Sequence, residues 1–314
     1  MTDKIVIGID TSNYTTSLAI MNTDGELIAN IKRLLPVKHG ECGLRQSDAV
    51  FSHIKNIPLI MGEAEQYFKG KKVVAVGVSE RPRNIVGSYM PCFLTGMALA
   101  EGIAKTHSVP LYKFSHQCGH VMAALYSSGK QELIDEQFAA FHVSGGTTEL
   151  LSVKGDGDGF RSDIVGGTKD LNAGQVIDRV GVHLGMPFPA GVHLEKAALL
   201  YEGKLFSKKA AVDGFYVNFS GLENIAIRLH KECGDVSKTA AFVFDYIGNA
   251  ILKICENYVA ENGNVPFVFA GGVMCNSIIK SKLSSKLEAY FAEPQMSSDN
   301  AVGIAALAYR KFLR

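Results

Sequence analysis

The sequence predicts an α/β fold of two lobes, each on one βββαβαβα plan with a mixed five-stranded sheet, and an interlobe cleft. Two observations predict it. A strand, a small polar turn, a second strand, a hairpin turn and a third strand occur in that order at 5–32 and again at 139–167. Each triple is followed by helices alternating with short buried strands, which argues for a mixed sheet covered by helices on both faces. Any two hairpins look alike; the shared series behind them is what argues for duplication. The 314 residues suffice for two lobes. They are placed at 1–130 and 131–314, the second with a helical insertion around 190–235.

In the first triple a β-branched run, IVIGID, ends at Asp10 in the turn Asp10-Thr11-Ser12-Asn13. A second strand covers Thr16 to Met21, and Asn22-Thr23-Asp24-Gly25 turns the chain into the third. Ser47 to Lys69 has the apolar spacing of an amphipathic helix, and 73–79 reads as a buried strand. Cys92 to Thr106 is a helix, 109–114 a short strand, and His116 to Ser127 a third helix. The second triple reads AAFHV, SGGTT, ELLSV, GDGDG and FRSDIVGG. Helical stretches follow near 172–184, 192–202 and 220–232, with a long helix from Lys238 to Glu261. A buried strand at 265–271, helix Asn276–Leu287, strand 288–292 and a last helix at 299–313 complete the series.

Composition excludes some classes. Lys and Arg number 32 against 31 acids, so no charge footprint of nucleic acid stands out. Lys204, Lys208, Lys209, Lys280, Lys282 and Lys286 are the clusters RNA would use. The six cysteines (Cys42, Cys92, Cys118, Cys233, Cys255 and Cys275) form no C-x-x-C pair, against a zinc ribbon or a disulfide framework. The start lacks a basic segment followed by an apolar one, and the most apolar stretch, Tyr89 to Ala104, is broken and too short to cross a bilayer. The expectation is a cytoplasmic protein without a membrane partner.

His116 and His120 are four residues apart in SHQCGHVMAAL, which on a helix puts both imidazoles on one face. Two such rings can share a metal ion if a third ligand joins them. Asp299, in SSDN, is the candidate that the topology brings over. A zinc-protease H-E-x-x-H needs glutamate where this chain has Gln117. Three turns suit an anion: Asp10 to Asn13, Ser144-Gly145-Gly146-Thr147-Thr148, and Ala270-Gly271-Gly272-Val273 with Asn276 behind it. Neither G-x-x-x-x-G-K-[ST] nor G-x-G-x-x-G is present, so a nucleotide would be held by turns of another kind.

These residues together resemble the TsaD-type threonylcarbamoyladenosine-synthesis family of actin-like ATPase fold. The resemblance rests on G-I-D-T-S at Gly8–Ser12, H-x-x-x-H at His116–His120, V-S-G-G-T-T at Val143–Thr148 and A-G-x-x-x-D at Ala173–Asp178. F-S-G-L at Phe219–Leu222, A-G-G-V-x-x-N at Ala270–Asn276 and S-D-N at Ser298–Asn300 complete it. It implies a divalent metal, iron or zinc, on His116, His120 and Asp299, and the adenylate part of a donor on Val143, Ser144, Gly145, Gly146, Asp178, Gly191, Glu195, Gly271, Gly272 and Asn276. The implied reaction moves a threonylcarbamoyl group from threonylcarbamoyl-adenylate to N6 of adenosine 37 in tRNA. The implied partners are a companion of the same superfamily and a small ATPase.

The departures from the family lie next to the chemistry. Asn13, Tyr14 and Thr15 stand where Cys-Asp-Glu is usual, Thr147 replaces a histidine, and Gln175 a glutamate. Arg83-Asn84-Ile85 replaces Pro-Gly-Leu, and Arg81 and Arg83 offer an anion contact the family pattern lacks. Asp10, Ser12 and Thr147 are left as catalytic candidates. Two alternatives stay open: a carbamoyltransferase on another acceptor, and a nucleotide-binding regulatory subunit without catalysis.

Overall fold

The computed structural model describes residues 3–36, 44–156, 159–204 and 209–314; Cys42 and Lys208 lie outside the described residues. The chain forms two compact units: Met1–Glu136 with Lys154–Ser162 and Gln295–Arg314, and Gln137–Val153 with Asp163–Pro294. The C-terminal residues thus belong to the first unit, although the sequence order puts them at the end of the second half.

The first unit opens with β1 (Lys4–Ser12), β2 (Thr15–Asn22), β3 (Leu27–Leu34), α1 (Gln46–Phe68), β4 (Lys72–Arg81), α2 (Phe93–His107), β5 (Leu111–Ser115) and α3 (His116–Ser127). Its sheet runs β3-β2-β1-β4-β5, with β2 antiparallel to β1 and β3, and β4 parallel to β1 and β5. Because side chains alternate along a strand, Ile5, Ile7 and Ile9 enter the core formed with Ile60, Ala64, Ala100 and Ala104 of α1 and α2. Val6 packs with Ala308 on the other face. Burial on both faces is why these strands read as continuous apolar runs.

The second unit is built from β6 (Gln137–Val143), β7 (Thr148–Gly155), β8 (Phe160–Thr168), α4 (Ala173–His183), α5 (Gly191–Ala198), β9 (Val212–Asp213), β10 (Tyr216–Val217), α6 (Ser220–Cys233), α7 (Val236–Asn262), β11 (Phe267–Ala270), α8 (Ser277–Ser284) and β12 (Ala289–Phe291). The chain ends with the one-turn α9 (Pro294–Ser297) and α10 (Val302–Leu313). The sheet order is β12-β11-β6-β7-β8-β10-β9. Its first five strands repeat the order of the first sheet, as duplication requires. The expectation of five strands is corrected to seven: within the insertion, the β9–β10 hairpin pairs onto the open edge of β8, Tyr216 against Gly167 and Val217 against Thr168.

Three glycines let α10 lie almost on the backbone of the first unit. A Cβ on Gly8 would sit 2.4 Å from the Ala305 nitrogen, and one on Gly77 2.7 Å from the Ala308 Cβ. One on Gly303 would sit 1.9 Å from the Gly119 carbonyl oxygen in α3. Ala305 and Ala308 on the small face of α10, and Ala301 just before it, are therefore fully buried. Among the described residues no helix is long and apolar enough to cross a membrane.

Candidate functional site

In the first unit, β5 runs directly into α3, whose start is fixed by the Ser115 hydroxyl accepting from the Cys118 amide at 3.2 Å. Successive turns then carry the two histidines on one face, with Nε2 of His116 and Nε2 of His120 3.0 Å apart. Asp299 Oδ1 lies 3.6 Å from the first nitrogen and 3.3 Å from the second. A metal with bonds of about 2.0–2.1 Å holds neighbouring ligand atoms about 2.9–3.4 Å apart, from octahedral to tetrahedral arrangements. The 3.0 and 3.3 Å spans fall within that range and the 3.6 Å span lies just beyond it, so a shift of a few tenths of an ångström would seat such an ion between elements distant in sequence.

Behind His116 stands Asp10, fully buried at the end of β1. Its Oδ1 is 2.9 Å from His116 Nδ1 and accepts from the Ser79 hydroxyl of β4; its Oδ2 accepts from the Ser12 amide at 3.3 Å. A carboxylate on Nδ1 aims Nε2 at the ligand position, the arrangement found behind metal-binding histidines. Burial alone would raise the Asp10 and Asp299 carboxyls; the histidines beside them bring Asp10 below the usual range and Asp299 well below it. Burial alone would lower His116, but Asp10 and then Asp299 lift it to about 10.

Two supports were not legible in the sequence. Asn300 donates to the carbonyls of Met296 (2.8 Å) and Ser298 (2.7 Å) and accepts from the Val302 amide (2.9 Å), which freezes the loop presenting Asp299. Lys32 of β3 reaches the same loop, donating to the Gln295 carbonyl at 3.0 Å and the Ser298 hydroxyl at 2.9 Å. The asparagine of the S-D-N motif is a local signal for the first. Nothing local marks Lys32.

The turn expected at Asp10-Thr11-Ser12-Asn13 does not form. Asp10, Thr11 and Ser12 continue β1 in register with Ser17, Thr16 and Thr15, leaving only Asn13 and Tyr14 to turn. The sheet uses these polar residues internally: Thr11 Oγ1 donates to the Cys92 carbonyl and accepts from the Gly96 amide. The anion-binding reading of that segment is withdrawn. Asp10 faces no solvent, which suits positioning His116. The Ser12 hydroxyl is buried and has no hydrogen-bond partner among the described residues.

The nucleotide candidates lie in the second unit. Ser144 donates its amide to the Thr147 carbonyl at 2.8 Å, closing a turn whose Gly145 and Gly146 are exposed. Thr148 Oγ1 accepts from the Ala173 amide, drawing the start of α4 against that turn. Gly271 adopts φ +95°, and a Cβ there would sit 2.3 Å from the Val143 carbonyl, so the 143–146 and 271–276 segments are neighbours only because this residue is glycine. Asn276 caps α8 through Oδ1 on the Ile279 amide (3.0 Å), while its buried Nδ2 has no partner among the described residues. That orphaned donor fits a ligand group.

Glu195 of α5 accepts from the amide (2.7 Å) and hydroxyl (2.6 Å) of Ser277, next to Asn276. Asp178 of α4 accepts from the Ala190 amide at 2.8 Å, beside Gly191, and burial raises its carboxyl. Each carboxylate therefore spends one oxygen, Oδ1 of Asp178 and Oε1 of Glu195, on the scaffold. Replacing Asn276 by alanine removes the cap, and thermal denaturation should report about 1 kcal/mol of lost stability.

The pattern described as TsaD: tRNA N6-adenosine threonylcarbamoyltransferase matches residues 43–306. The tRNA N6-adenosine threonylcarbamoyltransferase of Streptococcus sanguinis is 30% identical over 305 residues, covering 92% of this chain and 85% of that protein. The protein of the same name from Halalkalibacterium halodurans is 29% identical over 332 residues, covering 98% and 91%. Among solved structures, component A of the (R)-2-hydroxyglutaryl-CoA dehydratase of Acidaminococcus fermentans superposes with a TM-score of 0.58 at 16% identity, over 99% of both chains. Full-length HypF in its phosphate- and nucleotide-bound form gives 0.59 at 11% identity, over 99% of this chain and 46% of that one. At such identities the structural likeness carries the fold alone, which is the actin-like α/β fold.

Proposed function

The chain belongs to the tRNA N6-adenosine threonylcarbamoyltransferase family, and from that premise we propose that it transfers threonylcarbamoyl from its adenylate to N6 of adenosine 37 in tRNA, with a divalent metal on His116, His120 and Asp299. The observation that carries this reading is the convergence of those three ligand atoms in front of Asp10. A divalent ion held there would supply Lewis-acid chemistry at coordination positions that the three side chains leave open. Asp10 holds His116 by Nδ1, and Asn300 with Lys32 holds the Asp299 loop, so the ligand atoms are placed before any ligand arrives.

In the second unit the 143–146 turn, the Asn276 amide and the free oxygens of Glu195 and Asp178 suit the nucleotide of the donor. In the reaction, the amine attacks the carbamoyl carbon, the bond from that carbon to the phosphate oxygen breaks, and the amine loses a proton. Tyr14 and Thr15 provide no carboxylate to take that proton, so orientation of the amine carries more of the rate than base strength does. The companion protein, the small ATPase, and iron or zinc as the metal belong to this proposal.

The test is complementation of cells lacking their own threonylcarbamoyltransferase, followed by nucleoside analysis of tRNA. Restored threonylcarbamoyladenosine is the expected result. Its absence, together with metal-dependent binding of AMP in calorimetry, overturns the acceptor and keeps the donor. The acid-free tip at Asn13–Tyr14 is the observation favouring that second reading, carbamoyl transfer to another acceptor.

A further inference from the structure

The first unit contains a cavity of about 170 Å³ that the metal group does not use. Arg81, Lys113 and Lys311 line it together with Asn84 and Ser115, against one carboxylate, Asp156. Arg81 and Ser115 are register partners at the ends of β4 and β5, so the sheet itself sets the cavity floor. Cys118 also lines it; lying two residues from each histidine, it faces away from both across the helix, so the cavity and the metal group occupy different sides of α3.

The cations are only lightly engaged. Arg81 pairs with its neighbour Glu80 at 3.1 Å, and its Nε is buried without a partner among the described residues. Lys113 meets Glu101 at 3.7 Å on the surface, and Lys311 rests over the rings of Tyr112 and Phe114 at 6.0 and 5.9 Å. The lining itself carries three cations and one carboxylate, with Glu80 and Glu101 meeting two of the cations from outside it, and a guanidinium fork matches phosphate oxygens. Small-molecule sites begin at about 300 Å³, so this cavity takes a group and leaves the rest of its ligand outside. Of the two arginines that break the family pattern, Arg81 is the one placed here. The lysines at 280 and 282 are otherwise occupied: Lys282 is bonded to Asp245 and Asn249 at 2.6 Å each, and Lys280 lies over Phe291.

We propose that this cavity is a phosphate-binding site whose occupant is one backbone phosphate of the acceptor RNA. The RNA half of this statement rests on the transferase reading above; the phosphate half stands on the cavity alone. The experiment compares the full chain with the Arg81→Gln/Lys311→Gln variant and with a Lys231→Gln/Lys253→Gln control of equal charge change in the second unit. Binding of a tRNA transcript is followed by anisotropy from low to high salt, and binding of inorganic phosphate by calorimetry, with melting curves to confirm folding.

The cavity variant should bind tRNA about five- to tenfold more weakly near 0.1 M salt and show a salt slope shallower by about one. The control should lose less than about twofold, and Lys311→Arg should bind like the parent. Unchanged tRNA binding with loss of inorganic-phosphate binding supports the phosphate site and assigns it to a free phosphate. Equal behaviour of cavity variant and control in both assays overturns the proposal. If the parent chain binds no tRNA, the acceptor reading falls, and the phosphate titration alone decides the cavity.

Discussion

Replacing Asp10 by asparagine should lower metal affinity at pH 9 by about 10- to 100-fold while leaving all three ligands in place. The reason is the 2.9 Å contact from Oδ1 to His116 Nδ1, which a neutral amide answers with less charge and an ambiguous orientation. The same contact makes the parent site strongly dependent on pH. Metal must displace the proton that Asp10 and Asp299 hold on His116 up to about pH 10. Apparent affinity should therefore rise about tenfold per pH unit between pH 7 and 9. In Asp10→Asn that proton is held less tightly, so the slope should flatten over the same range. Competition with a chelator of known affinity measures both slopes; parallel lines would remove Asp10 from the site.

The metal-free protein should respond to pH in the opposite sense. His116 is raised above its unfolded value of 6.5, so its contribution to stability is complete below that pH and is lost as pH climbs through about 10. Asp10 and Asp299 are depressed from 3.8, so theirs is complete above that value and lost as pH falls through their folded values. The metal-free chain is then best held by this group between about pH 4 and 6.5, and metal should shift that optimum upward.

Gly303→Ala is expected to weaken metal binding by about 10- to 100-fold although Gly303 is not one of the candidate ligands. The added Cβ would lie 1.9 Å from the Gly119 carbonyl, whose neighbour in the chain is His120. Backbone cannot yield there as a flexible side chain would, so α10 must move away from α3. Asp299 stands just ahead of α10 and moves with it, while the 3.3 Å span to His120 has little to spare. Overpacking of this kind costs about 1–3 kcal/mol, and metal affinity should fall by about 10- to 100-fold, as for loss of ligand positioning. Gly221→Ala is the control, because a Cβ there meets nothing within 4 Å. Metal analysis and melting of the three proteins decide it; normal metal content in Gly303→Ala would show that this helix spacing does not set the site.

Most elements were legible because helix and strand periodicities are local. His116–Ser127 is a helix in both readings, with Ser115 capping it. The group of His116, His120 and Asp299 was legible only in part: the histidine spacing is a local signal, whereas Asp299 needed a topology to reach it. What escaped was set by long-range hydrogen bonds. Asp10, Thr11 and Ser12 look like turn residues and pair with nearby Ser17, Thr16 and Thr15, but the Asp10 carboxylate and Thr11 hydroxyl find their partners far along the chain, at Ser79, His116 and Cys92. The β9–β10 hairpin has two residues per strand, too few for any alternation to show.

The placement of Gln295–Arg314 in the first unit bears on how the protein is made. A ribosome releases the two histidines long before Asp299, and the glycine-lined seat of α10 stays open through synthesis of the whole second unit. That unit can close on its own schedule while the first waits for its last helix. Any chain cut or stalled before Asp299 would hold two of the three candidate ligands, so a metal bound by all three would be acquired only after the second unit has been made.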